Sequence, residues 1–228
     1  MEKTPIKAVV WDLDGTLIHF KIDFMRARRE AFKILKEHGI PKKHLSMQNG
    51  TIDTIVKSRE LFKFKGLSSR EIDSIIKIIN DKVTSIEHEA AVDAKMIEGI
   101  DKVLDFAHKK NLKQAIYTFN TSKNTKISLE RVNLLKYFDV IAGRDNTNNP
   151  KPHPDHLLYI CDKLDVEPSE IVVIGDHARD IQGAINVGAR SIGLLTRLAR
   201  KESLEIADVV VEEKDIPSNL IHLIEDLS

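Results

Sequence analysis

The sequence predicts an α/β fold, a doubly wound parallel sheet with a small all-helical domain inserted after the first strand. Three observations carry this. Short continuous runs rich in Val and Ile recur along the chain, as in strands covered on both faces. Amphipathic helical patterns separate these runs. One long stretch after the first run holds helical patterns only.

The first run ends abruptly at Asp12 in "VVWDLDGTLIHF". The helical stretch follows. "KIDFMRARREAFKILKEHG" reads as an amphipathic helix with Met25, Phe32 and Leu35 on one side and Gly39 as its stop. "SSREIDSIIKIINDKVTSIEHE" places Ile72, Ile75, Ile76, Ile79, Val83 and Ile86 at helical spacing, with Ser68 and Glu71 as a capping box at its start. That apolar stripe serves as the core of the insert or as a dimer contact. The expected division is an α/β core made of residues 1–18 and 94–228, with residues 19–93 as a helical cap domain.

Alternation resumes after the insert. Ile100, Val103, Leu104 and Ala107 mark one face of a helix before a strand over 112–118. "NTSKNT" supplies an N-cap for a helix carrying Ile127, Val132 and Leu135, followed by a strand over 138–143. Leu157, Leu158, Cys161 and Leu164 mark the next helix, with Pro154 in its first turn, before a strand over 170–176. "ARDIQGAINVG" forms another helix, stopped by Gly188, and a strand over 189–195 follows. "ADVVVE", residues 207–212, adds an edge strand.

Composition narrows the function classes. Hydrophobic residues make up 42% and charged residues 31%, which fits a folded soluble protein. Lys and Arg number 35, as do Asp and Glu, so the formal net charge is zero and general nucleic-acid binding is not expected. No segment approaches the roughly 20 apolar residues of a membrane helix, and the apolar run near the start is too short for a secretory signal. The single cysteine, Cys161, cannot form an internal disulfide and lies in a helical apolar pattern, as a buried structural thiol would. The expectation is a cytoplasmic monomer or homodimer.

The chemistry of an open parallel sheet gathers at the carboxyl ends of its strands. There the first strand delivers Asp12 and Asp14, the second Thr118, the loop after the third Lys151, and the fourth Asp176 and Asp180. Two unit charges about 4 Å apart repel by about 4 kcal/mol at an effective dielectric of about 20. A hard divalent cation relieves such crowding, and an all-oxygen donor set suits magnesium. One metal, one lysine and a free carboxylate suit phosphoryl transfer, in which the cations neutralise the transferred group and the carboxylate attacks it.

"DLDGT" after the first strand, a Thr ending the second, Lys151 in "KPHPD" and "GDHARD" after a later strand together resemble the haloacid dehalogenase (HAD) superfamily, in its phosphoglycolate-phosphatase-like branch with a helical cap. The resemblance covers nearly the whole chain. It implies a magnesium-dependent phosphatase acting on a small phosphorylated metabolite through an aspartyl-phosphate. It implies that Asp12 is the nucleophile and Asp14 the general acid and then base, with its backbone carbonyl on the metal. Thr118 would hydrogen-bond the phosphoryl group, and Lys151 would hold nucleophile and phosphoryl charge together. Gly15, which also permits a tight turn, would line the substrate site with Thr16 and Asn120. Asp176 would join Asp12 and Asp14 as a metal ligand; Asp180 would be a ligand through water or would orient Lys151.

Three positions depart from the family pattern: His19-Phe20 after "DGTLI", Phe119 between Thr118 and Asn120, and Gln182-Gly183 after the last Asp, the last expected to be structural. Arg26, Arg28 and Arg29 fit a solvated helix face better than a grip on substrate. His177 fits a substrate contact and a partly solvated loop residue equally well. Two other functions share the motifs or the sheet: a phosphomutase of sugar phosphates, and a phospho-accepting signalling module, which would lack a large insert after the first strand.

Overall fold

The structure is a computed structural model that describes residues 4–19, 21–46, 51–197 and 199–228; Phe20 lies outside them. Six strands form one parallel sheet: β1 (Ala8–Trp11), β2 (Lys113–Tyr117), β3 (Val140–Ala142), β4 (Ile171–Gly175), β5 (Arg190–Leu195) and β6 (Val209–Glu212). Their order is β3-β2-β1-β4-β5-β6. The expected strands are all present, trimmed by one or two residues at their ends, and the "ADVVVE" run is the edge.

Nine α-helices are described: α1 (Phe24–Glu37), α2 (Thr51–Phe64), α3 (Ser69–Val92), α4 (Ile100–Lys109), α5 (Ser122–Arg131), α6 (Pro154–Leu164), α7 (Ala178–Val187), α8 (Lys201–Leu204) and α9 (Ser218–Leu227). Alternation along the central strands explains why both sheet faces are covered. Val9, Trp11, Ile116, Val172 and Ile174 point to one side, into a core with Ile100, Val103, Leu104 and Ala107 of α4 and Leu220 and Ile224 of α9. Ala8, Val10, Ala115, Tyr117, Ile171 and Val173 point to the other, against Leu157, Ile160, Cys161 and Leu164 of α6. Cys161 is buried, and burial pushes its thiol up to about 11, which keeps it an inert core group.

The chain separates into two compact units, Met1–Lys21 with Ala91–Ser228, and Ile22–Ala90. The second has its own core, in which Ile72, Ile75, Ile76 and Ile79 of α3 meet Ala31 and Leu35 of α1 and Phe62 of α2. The capping box forms as expected: Ser68 N–H donates to Glu71 Oε2 at 2.8 Å, and Glu71 N–H donates to Ser68 Oγ at 3.3 Å. Among the described residues no helix is long and apolar enough to cross a membrane.

Several helix faces differ from the sequence expectation. In α1 the buried stripe is Ala27, Ala31 and Leu35, spaced by four, while Met25 is exposed. In α5 it is Asn124, Thr125, Ser128 and Leu129; Val132 caps the helix and Leu135 lies in the next turn. In α6 Leu158 is exposed and His156 takes an interior place. Each shift follows from small or polar residues packing where the apolar pattern alone would not put them.

Gln114 ties three elements together. Its Oε1 accepts from the Trp11 indole N–H at 3.2 Å, and its Nε2 donates to the Leu104 carbonyl at 3.1 Å, all in the interior. Gln114→Leu strands the buried Trp11 donor and removes the side-chain bond to the Leu104 carbonyl. The expected cost is about 1–3 kcal/mol of stability, read as a lower urea midpoint with an unchanged slope.

Candidate active site

Strand register sets the site. Trp11 pairs with Ile116 on one side and Ile174 on the other, so Asp12, Tyr117 and Gly175 stand at one level where the three central strands end. The strand order reverses there, between β2-β1 and β1-β4, which is where doubly wound sheets open a crevice. Asp12 N–H continues the ladder to the Ile174 carbonyl at 2.8 Å, which fixes its side chain at that edge.

The chain then turns tightly. The Leu13 carbonyl accepts from the N–H groups of Leu17 and Ile18 at 2.9 and 3.1 Å, and Gly15 N–H donates to the Ile18 carbonyl at 2.7 Å. Gly15 has φ +90°, and a Cβ there would stand 2.1 Å from Asp176 Oδ2. Both the turn and the close approach of Asp176 therefore require glycine. Thr16 is wholly buried in this turn, and its hydroxyl has no partner among the described residues.

Lys151 is the hub. Its ammonium donates to Asp12 Oδ1 at 2.5 Å, to Asp180 Oδ1 at 2.6 Å and to the Tyr117 carbonyl at 2.9 Å. These three acceptors use all three donors of an ammonium group. Lys151, Asp12 and Asp180 are all buried. Asp180 sits in the first turn of α7, where its second oxygen accepts from His177 N–H at 3.0 Å in a capping box. Gly175 makes room for it, since a Cβ there would lie 2.5 Å from Asp180 Cβ.

Oxygens of Asp12, Asp176 and Asp180 lie within 4.8 Å of one another, an acidic triad suited to hold a metal ion. Burial, with Asp180 and Asp14 nearby, pushes Asp176 up to about 7. Burial also raises Asp12, helped by Asp180 and Asp176 and opposed by Lys151. Burial works against the Lys151 charge, but Asp12 and Asp180 outweigh it and hold the ammonium protonated. One buried ammonium thus faces more carboxylates than it can neutralise, and a further cation fits the remainder.

Thr118 is buried, and its Oγ1 accepts from Asn120 N–H at 3.0 Å. Asn120 Nδ2 lies 3.4 Å from Asp14 Oδ2, so the residue after the intervening Phe119 does reach the site. The Phe119 ring lies under the Arg179 guanidinium at 5.1 Å. His177 caps α7, its Nδ1 accepting from Arg179 N–H at 3.1 Å. Gly183 gives space to the Tyr117 hydroxyl, only 2.3 Å from where a Cβ would stand, which is a packing role. Arg26 pairs with Glu89 at 2.6 Å, Arg28 lies over Phe24, and Arg29 is exposed.

Two members of the cluster were missing from the sequence reading. Tyr117 offers its main-chain carbonyl, which leaves no trace in side-chain chemistry. His156 accepts from Lys151 N–H at 3.2 Å and meets the Ala142 carbonyl at 3.1 Å. The available signal was a histidine at a helix position where an apolar residue would pack.

The model of the haloacid dehalogenase-like hydrolase family matches residues 9–194. The chain belongs to that family. It is 27% identical over 186 residues to a phosphoglycolate phosphatase of Nitrosospira multiformis, covering 81% of each chain. It is 25% identical over 229 residues to an N-acetylmuramic acid 6-phosphate phosphatase of Pseudomonas aeruginosa, covering 99% of this chain and 97% of that one. In fold it is similar to a β-phosphoglucomutase of Clostridium difficile, with a TM-score of 0.70, 21% identity and 97% of each chain covered.

Lys151→Met removes the shared counter-charge of two buried carboxylates. At pH 7.5 in chelator it is expected to cost about 3–5 kcal/mol. Without the ammonium, the folded-state pKa of Asp12 lies further above its unfolded value, so the folded variant binds the extra proton. Its stability therefore declines as pH rises past about 4. Urea melts at pH 5 and 7.5 check this: the variant's deficit should shrink at the lower pH.

Proposed function

We propose that the chain is a magnesium-dependent phosphatase that hydrolyses a small phosphate monoester through an aspartyl-phosphate on Asp12. The observation that carries this reading is the Lys151 ammonium shared between Asp12 and Asp180, beside the oxygen cluster of Asp12, Asp176 and Asp180.

Asp12 attacks phosphorus. Its carboxylate oxygen forms the new P–O bond as the bond to the leaving alcohol breaks. Asp14 delivers a proton to that leaving oxygen, so a neutral alcohol departs. The Asp14 carboxylate then takes a proton from water as the water oxygen attacks phosphorus, the Asp12–phosphorus bond breaks, and orthophosphate leaves. Lys151 reduces the charge between nucleophile and phosphoryl group, and Asn120 steadies Asp14. The Thr118 hydroxyl hydrogen is available to a phosphoryl oxygen, since its oxygen already accepts from Asn120.

Asp12, Asp176 and the Asp14 main-chain carbonyl would hold magnesium, which supplies charge neutralisation at the phosphoryl oxygens. Asp180 serves Lys151 first, because both its oxygens already accept protein hydrogen bonds. The curated relatives named above are phosphatases with different substrates at similar identity. That supports a small phosphorylated metabolite as the substrate class. The mutase resemblance is one of fold.

Purified protein incubated with para-nitrophenyl phosphate tests the proposal. Phosphate release should require magnesium, stop in chelator, and fall by about a thousandfold or more in Asp12→Asn. Undiminished turnover by a folded Asp12→Asn variant would sink the covalent mechanism.

A further inference from the structure

Lys151 stands on a loop between Pro150 and Pro152, neither of which has an N–H to anchor it. Its own N–H donates to Nδ1 of His156, in the first turn of α6. The opposite ring nitrogen, Nε2, meets the carbonyl of Ala142 at the end of β3. That same carbonyl accepts from Thr118 N–H at 3.1 Å. The ring is completely buried and packs edge-on against Tyr117, centroids 4.7 Å apart. Tyr117 in turn accepts from the Lys151 ammonium through its carbonyl and lies beneath it with its ring, 4.8 Å from Nζ.

These partners fix the protonation pattern. A main-chain N–H at Nδ1 needs an acceptor there, and a carbonyl at Nε2 needs a donor, so the ring is the neutral Nε2–H form. Burial and the Lys151 charge hold its pKa down to about 4, in keeping with that form.

We infer that His156 is a positioning residue: it holds the main chain of Lys151 and the floor beneath its ammonium, and so sets where the charge meets Asp12 and Asp180. The inference rests on the phosphatase reading for its effect on turnover. The Lys151 stem is long and flexible. Besides His156, the loop is held by Asn186 Nδ2, which donates to the Pro152 carbonyl at 2.9 Å, and by His153 N–H, which donates to the Pro150 carbonyl at 3.2 Å. Of these only His156 takes the main-chain N–H of Lys151 itself. The ring connects that main chain to the ends of β2 and β3, the rigid edge that also carries Thr118. An error of about 1 Å in such a group costs up to about a hundredfold in rate.

Three substitutions separate positioning from packing. His156→Asn keeps an acceptor near the Nδ1 place but leaves a void. His156→Leu fills the space with apolar atoms and offers no acceptor. His156→Gln reaches the Nε2 place and vacates that of Nδ1. Turnover of para-nitrophenyl phosphate is measured with magnesium at a temperature where melts show every variant folded, alongside amide exchange at Lys151. Positioning predicts a loss of about 10- to 100-fold in the Leu and Gln variants, substantial recovery in Asn, and faster Lys151 exchange in Leu than in Asn. A packing role predicts the reverse order, with Leu tolerated best and Asn worst. That order, or Lys151 exchange in the Leu variant equal to wild type, overturns the inference. If wild-type protein releases no phosphate, the phosphatase reading fails separately, and the Lys151 exchange order alone decides whether His156 holds the loop.

Discussion

One buried ammonium organises this site. Lys151 gives up water and recovers three acceptors from three separate parts of the chain: Asp12 after β1, the Tyr117 carbonyl at the end of β2, and Asp180 in the first turn of α7. A charge in such a place is tolerated only when it is paired and fully hydrogen-bonded. The demand passes outward from there. β1 must end level with β2 and β4, Gly175 must lack a side chain so that Asp180 can close in, and α7 must begin where its capping residue also faces the lysine. The sheet order that opens a crevice between β1 and its neighbours then decides where a ligand can meet this charge.

The carboxylates add a second constraint that the lysine does not satisfy. Asp176 approaches the backbone of Gly15 so closely that only glycine fits, and its carboxyl is pushed up by burial and by its neighbours. Evolution of a purely structural cluster would have little reason to crowd oxygens in this way. A site that alternately holds a metal, a phosphoryl group and product phosphate has such a reason, because each of these brings compensating charge or consumes it. The polar groups around the edge fit the same reading. Asn120 touches Asp14, and Thr118 and Ala142 join the ends of β2 and β3.

Much of this was legible in the sequence because it depends on strong local patterns. Strands buried on both faces are largely apolar, so the ends of β1 and β4 were marked by their first charged residues, Asp12 and Asp176, and both belong to the candidate site. The Ser68–Glu71 box and the isoleucines of α3 were legible for the same reason, being set by spacing within one helix. The face of α5 was not, since Asn124, Thr125 and Ser128 are buried while the apolar Ile127 is only half-buried. The part played by Asp180 was open between metal and lysine in the sequence, because it depends on which groups the fold brings to its two oxygens. His156 was illegible because its role depends on the Ala142 carbonyl, brought beside it by the folded sheet. Main-chain acceptors such as Tyr117 have no side-chain signature at all.

On the proposed mechanism, the Asp12 carboxylate beside Lys151 forms a covalent bond to phosphorus. Wild-type protein mixed with para-nitrophenyl phosphate and magnesium, quenched in acid within one turnover and digested, can be read by tandem mass spectrometry. The peptide carrying "VVWDLDGTL" is expected to gain the mass of one phosphoryl group, localised to Asp12. Turnover with no phosphorylated peptide, or with the phosphoryl group on another residue, would contradict the mechanism.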